Sequence, residues 1–151
     1  MTKFVCSVAG ILISSAFFGA YQKGEDAIKE AENEVFAIHD EVMPKMGDVM
    51  KLRKQLNQRI SALDSTAATR SAAGALRTDE EKEQARLLSR NLTNADSLMM
   101  HWMNQYKGDT LTKLSPDDAL RYLSEQKEQI TDVKTKFNSS IDQARQFLDK
   151  K

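Results

Sequence analysis

Apolar residues recur every seven positions between residues 28 and 63, and this interval constrains the fold more than any other feature of the sequence. Six of them follow one another without a break: Ile28, Val35, Val42, Val49, Leu56 and Leu63. An α-helix completes two turns in about seven residues, so these side chains line up along one side of a helix. The interval therefore predicts a helix over residues 25–63 that packs along this side.

Two later stretches show the same interval. The second stretch carries Ala85, Leu92, Met99 and Tyr106, and the third carries Leu123, Ile130, Phe137 and Ala144. Residues 78–81 (TDEE) match a capping box, and Ser115-Pro116 is typical of a helix start. Helices are therefore predicted over residues 79–107 and 116–150.

These three segments predict an all-α fold. Intervening loops long enough to reverse the chain favour an antiparallel three-helix bundle of long, coiled-coil-like helices. The seven-residue period predicts a left-handed supercoil. Only six glycines and two prolines occur among 151 residues, which suits long helices better than a sheet.

The stretch HDEVMPKMGDVM, residues 39–50, places a proline in the first predicted helix. Pro44 has no N–H, and its ring clashes with the carbonyl four residues earlier. The first helix is therefore predicted to be kinked at Pro44. At about 100° per residue, four side chains fall on one arc beside the apolar stripe; they are His39, Met43, Met46 and Met50.

Three interpretations of these methionines are open. They fill an irregular core, they form an exposed patch that binds another protein or a lipid, or they bind copper. The candidate binding patch also includes methionines of the second helix, and consists of His39, Met43, Met46, Met50, Met100 and Met103. For copper, thioether and imidazole ligands suit Cu(I), and their spacing brings His39, Met43 and Met46 within reach of one ion.

Residues 1–20 have the layout of an export segment. One cation, Lys3, precedes the uncharged stretch 4–20, which is apolar all round rather than amphipathic. This layout predicts either a cleaved signal peptide or an uncleaved N-terminal membrane anchor. Residues 21–151 are then the helical bundle domain, and the predicted location is the periplasm or cell envelope.

Charge and motifs argue against several function classes. The chain has 22 basic and 22 acidic residues, whereas a nucleic-acid-binding domain normally has a basic face. The densest basic run, residues 51–54, is interpreted as a solvated helix edge. The single Cys6 excludes an intramolecular disulfide, and the sequence has no Glu-x-x-His, His-Glu-x-x-His or glycine-rich phosphate motif.

The sequence therefore predicts a protein that is not an enzyme and has no cofactor, copper being the alternative. It would act through its helix surfaces, by binding a protein partner or by self-association. The N-terminal segment would provide contact with a membrane if it is not cleaved.

Three segments, 34–56, 95–106 and 115–144, contain the patterns MPKM at 43–46 and MMHWM at 99–103. In these segments the chain resembles a family of small bacterial cell-envelope proteins, many of them lipoproteins, often labelled "viral A-type inclusion protein". The resemblance implies an envelope location and a helical fold, and it brings no catalytic residues. One departure is that residues 17–21 lack the cysteine to which such lipoproteins attach lipid.

Overall fold

A computed structural model describes residues 16–65 and 71–150, with side chains from residue 24 onward. This part of the chain is helical and contains no β-strand. Its elements are α1 (Ala16–Val42), a 3₁₀ turn (Met43–Lys45), α2 (Met46–Ser65), α3 (Ala72–Gln105), a 3₁₀ segment (Gly108–Lys113) and α4 (Pro116–Asp149). The predicted all-α class is confirmed.

The apolar residues spaced seven apart form the core. On α1 and α2 the side chains exposed by 5% or less are Val35, Val42, Val49, Leu56 and Leu63. The facing residues of α3 and α4 include Ala85, Leu92, Met99, Leu123, Ile130, Phe137 and Ala144. The helix α1 packs on α4, and α3 packs on both α2 and α4, so three long helical segments share one core.

The first helical segment is not one continuous α-helix over residues 25–63. Its α-helical hydrogen bonding gives way to a 3₁₀ turn over Met43–Lys45 and resumes at Met46. Pro44 lies in this turn. In a continuous α-helix the residue at this position would donate its N–H to the carbonyl of Asp40, and proline has no N–H to donate. The helix α1 also begins at Ala16, earlier than predicted.

The predicted signal peptide or anchor lies largely outside the described residues, because residues 1–15 are not among them. Among the helices that are described, none has the length and apolar character needed to span a bilayer.

The second predicted helix begins earlier than residue 79, at Ala72, because Ser71 caps it. The Ser71 side chain accepts a hydrogen bond from the N–H of Gly74. The expected capping box at residues 78–81 is wrong: Thr78 is buried inside the helix, and its hydroxyl donates to the carbonyl of Gly74 at 2.8 Å. The alanine-rich residues after Ser71 favour helix strongly enough to use this earlier cap.

The predicted start of the third helix is confirmed. Ser115 has an extended backbone, its hydroxyl accepts from the N–H of Asp118 at 3.2 Å, and Pro116 occupies the first helical position. This arrangement satisfies one of the free N–H groups at the start of α4.

Replacing Ser115 with alanine is expected to lower the free energy of unfolding by about 1 kcal/mol, because α4 loses its N-cap. Urea unfolding followed by circular dichroism would measure the change. Ser124→Ala, at an exposed position on the same helix, is the control and should cost less than about 0.5 kcal/mol. Equal losses for the two variants would contradict the capping role.

Candidate interaction surface

One edge of α1 is held to α4 by ion pairs. Glu34 and Glu41 lie seven residues apart and accept hydrogen bonds from Lys127 and Lys134, at 2.8 and 2.6 Å. The bond from Lys134, with a smaller contribution from Lys45, lowers the pKa of Glu41. The edge of α1 that carries Glu34 and Glu41 therefore faces α4, and the opposite edge of α1 faces α3.

The opposite edge of α1 contacts α3 through Glu32 and His39, which also lie seven residues apart. Glu32 accepts a hydrogen bond from the hydroxyl of Tyr106 at 2.9 Å, and the His39 ring centre lies 5.7 Å from that of Trp102. At the same interval this row continues along α1 and α2 as Glu32, His39, Met46 and Arg53. We call it the inner row. A second row, Phe36, Met43 and Met50, lies beside it.

An aromatic cluster joins α1, α3 and α4 near this edge. The Tyr106 ring lies 5.2 Å from Phe36, 5.5 Å from Trp102 and 6.0 Å from Tyr122, measured between ring centres. The Tyr122 hydroxyl accepts from the N–H of Lys107 at 2.7 Å. This cluster was not predicted from the sequence, although Tyr106 belonged to a predicted stripe, because ring contacts between helices depend on the relative positions of the helices.

Burial raises the pKa of Tyr106 above the usual tyrosine range, and the hydrogen bond to the Glu32 carboxylate raises it further. The folded state thus favours the neutral phenol, so stability should fall once the pH rises above about 10, where an unfolded tyrosine ionises. Ultraviolet titration of tyrosinate should show one tyrosine that ionises only as the helices unfold. Tyr106→Phe should remove that step, and a late step that survives in this variant would contradict the assignment.

The three residues proposed to bind copper are partly buried. The His39 side chain is 17% exposed, and its Nδ1 lies 2.9 Å from a carboxylate oxygen of Asp40. Met43 and Met46 pack against the core. In the described residues no three His, Cys, Asp or Glu side chains converge as a metal site would need. Methionine ligands fall outside that set, so the copper interpretation stays a prediction.

The other three members of the predicted patch are exposed. Met50 is 64% exposed, Met100 46% and Met103 38%. Phe36, also 38% exposed, precedes Met43 by seven residues and belongs to the same row as Met50. Phe36 was not predicted as a member of the patch, although its seven-residue spacing from Met43 indicated that it lies in the same row as Met43 and Met50. The predicted patch therefore divides into a partly buried base and an exposed apolar rim.

The exposed methionines of α3 belong to the side of that helix that faces α1 and α2. Lys82 lies on this side, since its ammonium pairs with Asp64 of α2 at 2.6 Å. Met103 follows Lys82 by three seven-residue intervals, and Met100 lies one helical turn before Met103. The methionines of α2 and of α3 thus lie on one side of the helices, and we call this surface the methionine groove.

Beyond Met50 the α2 side of this surface is basic. A shallow surface depression of about 560 Å³ begins at Met50 and is lined by Met50, Arg53, Lys54, Asn57, Gln58 and Ser61. Among the described residues, neither Arg53 nor Lys54 pairs with a carboxylate, and the buried Nε of Arg53 has no hydrogen-bond partner. Arg59 of the same helix, in contrast, donates to Glu81 at 2.7 Å.

Comparison of the chain with protein-family models, with curated proteins and with solved structures found no match.

Proposed function

We propose that this chain is a non-enzymatic, exported envelope protein that binds another protein through the methionine groove. One observation carries the proposal: Met50, Met100 and Met103 are 38–64% exposed on one face, while Met99 is fully buried. Removing exposed apolar side chains from water on binding is favourable, and flexible methionines adapt to a partner's shape. The binding surface consists of His39, Met43, Met46, Met50, Met100 and Met103.

The proposed scaffold is an antiparallel three-helix bundle with a bend at Pro44. Its direction is supported by the order of paired residues: Glu32 pairs with Tyr106 and His39 with Trp102, but Glu34 pairs with Lys127 and Glu41 with Lys134. Partner numbers fall on α3 and rise on α4, as expected if only α3 runs opposite to α1. The 3₁₀ turn at Met43–Lys45 supports the bend.

The non-enzymatic assignment is supported by the behaviour of the carboxyl groups. The pKa values of Glu41, Asp64 and Asp118 are lowered by hydrogen bonds, mainly from Lys134, Lys82 and Ser115, respectively. A general acid needs the opposite shift, toward neutral pH. Export is supported by the uncharged stretch 4–20 and by the family resemblance of the MPKM and MMHWM segments.

The proposal is tested by site-specific photo-crosslinking in cells that produce the chain. A photoreactive amino acid at Met50 or Met100 is expected to give covalent adducts with protein. The same group at Ser124, which is exposed on α4, is the matched control. If neither methionine position gives more adduct than Ser124, the methionine groove does not bind protein.

A Cu(I) site formed by His39, Met43 and Met46 is the alternative function. It is favoured by the contact of His39 Nδ1 with Asp40, because that contact leaves Nε2 for a metal and would orient the ring. A Cu(I) competition titration would then give one-to-one binding that His39→Ala weakens. Equal binding by the two proteins would reject this alternative.

A further inference from the structure

The methionines of the described chain differ widely in exposure. Met50 is 64% exposed, Met100 46% and Met103 38%, whereas Met99 is fully buried. We call the three exposed residues the rim methionines. A thioether sulfur that solvent can reach reacts with peroxides, and the reaction adds a polar oxygen to an apolar side chain. The surface proposed to bind protein is therefore also the surface whose sulfur atoms are open to an oxidant.

No thiol competes with these sulfur atoms in the helical bundle domain. Cys6 is the only cysteine of the sequence, so residues 21–151 contain none. In a protein with an accessible, low-pKa cysteine, the thiolate would be the preferred target of such an oxidant. The sulfur oxidation chemistry of this domain therefore belongs to its methionines, and exposure decides which of them react first.

We propose that the rim methionines are an oxidation site that controls binding by the methionine groove. The proposal deepens the proposed function and rests on it. A lone pair of the methionine sulfur attacks one oxygen of a peroxide, the O–O bond breaks, and an S–O bond forms. Sulfur is oxidised by two electrons, and the peroxide is reduced by two and leaves as water when it is hydrogen peroxide. A methionine sulfoxide reductase reverses the step with a dithiol, which is oxidised to a disulfide while the oxygen leaves as water.

Oxidation of the rim is expected to abolish binding and to preserve the fold. A sulfoxide oxygen is a hydrogen-bond acceptor, and burying it against a partner without a donor is unfavourable. Met100 and Met103 lie one helical turn apart, so one contact with a partner would cover both. The core side of α3 at this level is formed by Met99 and by Trp102, which is 4% exposed, and neither is open to the oxidant.

An oxidation map of the full chain tests the selectivity. The chain carries Ser124→Met as a control, because Ser124 is exposed on α4 and away from the rim. After treatment with hydrogen peroxide, the rim methionines and the control should form sulfoxide at least about fivefold faster than Met99, as measured by peptide mass spectrometry. Circular dichroism should show unchanged helix content. Equal rates at Met99 and at the rim would overturn the proposal.

A modification-interference experiment tests the effect on binding. The same chain, with a photoreactive amino acid at Met50, is partly oxidised, freed of peroxide and photo-crosslinked in an envelope fraction. Chains captured in adducts should carry sulfoxide at Met100 and Met103 at least about fivefold less often than free chains. Sulfoxide at the Ser124→Met control should be equally frequent in both. A second chain with the photoreactive group at Met100 tests Met50 in the same way, and reduction by a methionine sulfoxide reductase should restore the adduct yield.

Equal sulfoxide frequencies at the rim in captured and free chains would overturn the proposal and leave the groove a binding site. Equal depletion at the Ser124→Met control would also overturn it, because the loss of binding would then not depend on the rim. The proposed function fails in a different way. If neither photoreactive chain gives adducts before oxidation, both the methionine groove as a binding site and its control by oxidation are rejected.

Discussion

Replacing Phe137 with alanine is expected to lower the free energy of unfolding by about 3–5 kcal/mol. Phe137 is fully buried and is the largest of the fully buried side chains in the described part of the chain. The substitution gives up the free energy of burying the aromatic ring. It also leaves a cavity between the helices, because the close-packed neighbouring side chains can move to fill it only in part. Domains of this kind are stable by about 5–15 kcal/mol, so the loss would be a large share of the total.

Urea unfolding followed by the fluorescence of Trp102 would measure this loss. Phe36→Ala is the matched control, because Phe36 is 38% exposed and the substitution leaves no enclosed cavity. We expect the control to lose less than half as much stability. If Phe137→Ala does not fold, the smaller change Phe137→Leu should still destabilise the protein more than Phe36→Ala does, and the reverse order would contradict the packing of α4.

Neighbouring methionines should respond very differently to the same substitution. Met99→Ala is expected to cost about 2–5 kcal/mol, because Met99 is fully buried. Met100→Ala should change the stability by no more than about 0.5 kcal/mol, because Met100 is 46% exposed and its side chain leaves no cavity.

The pair also separates core methionines from binding methionines. Thermal and urea unfolding of both variants would give the stability, and photo-crosslinking from Met50 in each folded variant would give the binding. Met100→Ala should weaken binding while leaving stability unchanged. A loss of several kcal/mol for Met100→Ala would mean that this residue belongs to the core and not to the methionine groove.

The core was predictable because one interval repeats through all three helical segments. Val35, Val42, Val49 and Leu56 are each exposed by 1% or less, as a stripe of side chains on one side of a helix should be. Helix ends were less predictable, since several residues compete to cap the same helix. The pattern at residues 78–81 resembled a cap, but Ser71 and the alanines after it start α3 earlier.

The candidate surface was predictable only in part. Helical phase alone indicated that His39, Met43, Met46 and Met50 share an arc, and the seven-residue interval placed Met99 in the core stripe of the second helix. It did not indicate that Met50 is far more exposed than Met43, because that difference depends on how closely α3 approaches each turn. That Arg53 and Lys54 pair with no carboxylate among the described residues also depends on neighbours that lie far away in the sequence.

The ion pairs between α1 and α4 join parts of the chain that are made far apart in time. Lys134 and Glu41 are separated by 93 residues, whereas Arg59 and Glu81, which join α2 to α3, are separated by 22. Closing the longer loop costs about 1.3 kcal/mol more in chain entropy. During synthesis, α2 and α3 can therefore pair while α4 is still being made, whereas the ion pairs of Glu34 and Glu41 form only once α4 is present. Of the described helices, α1 is made before the others, yet its ion pairs with α4 are the last to form.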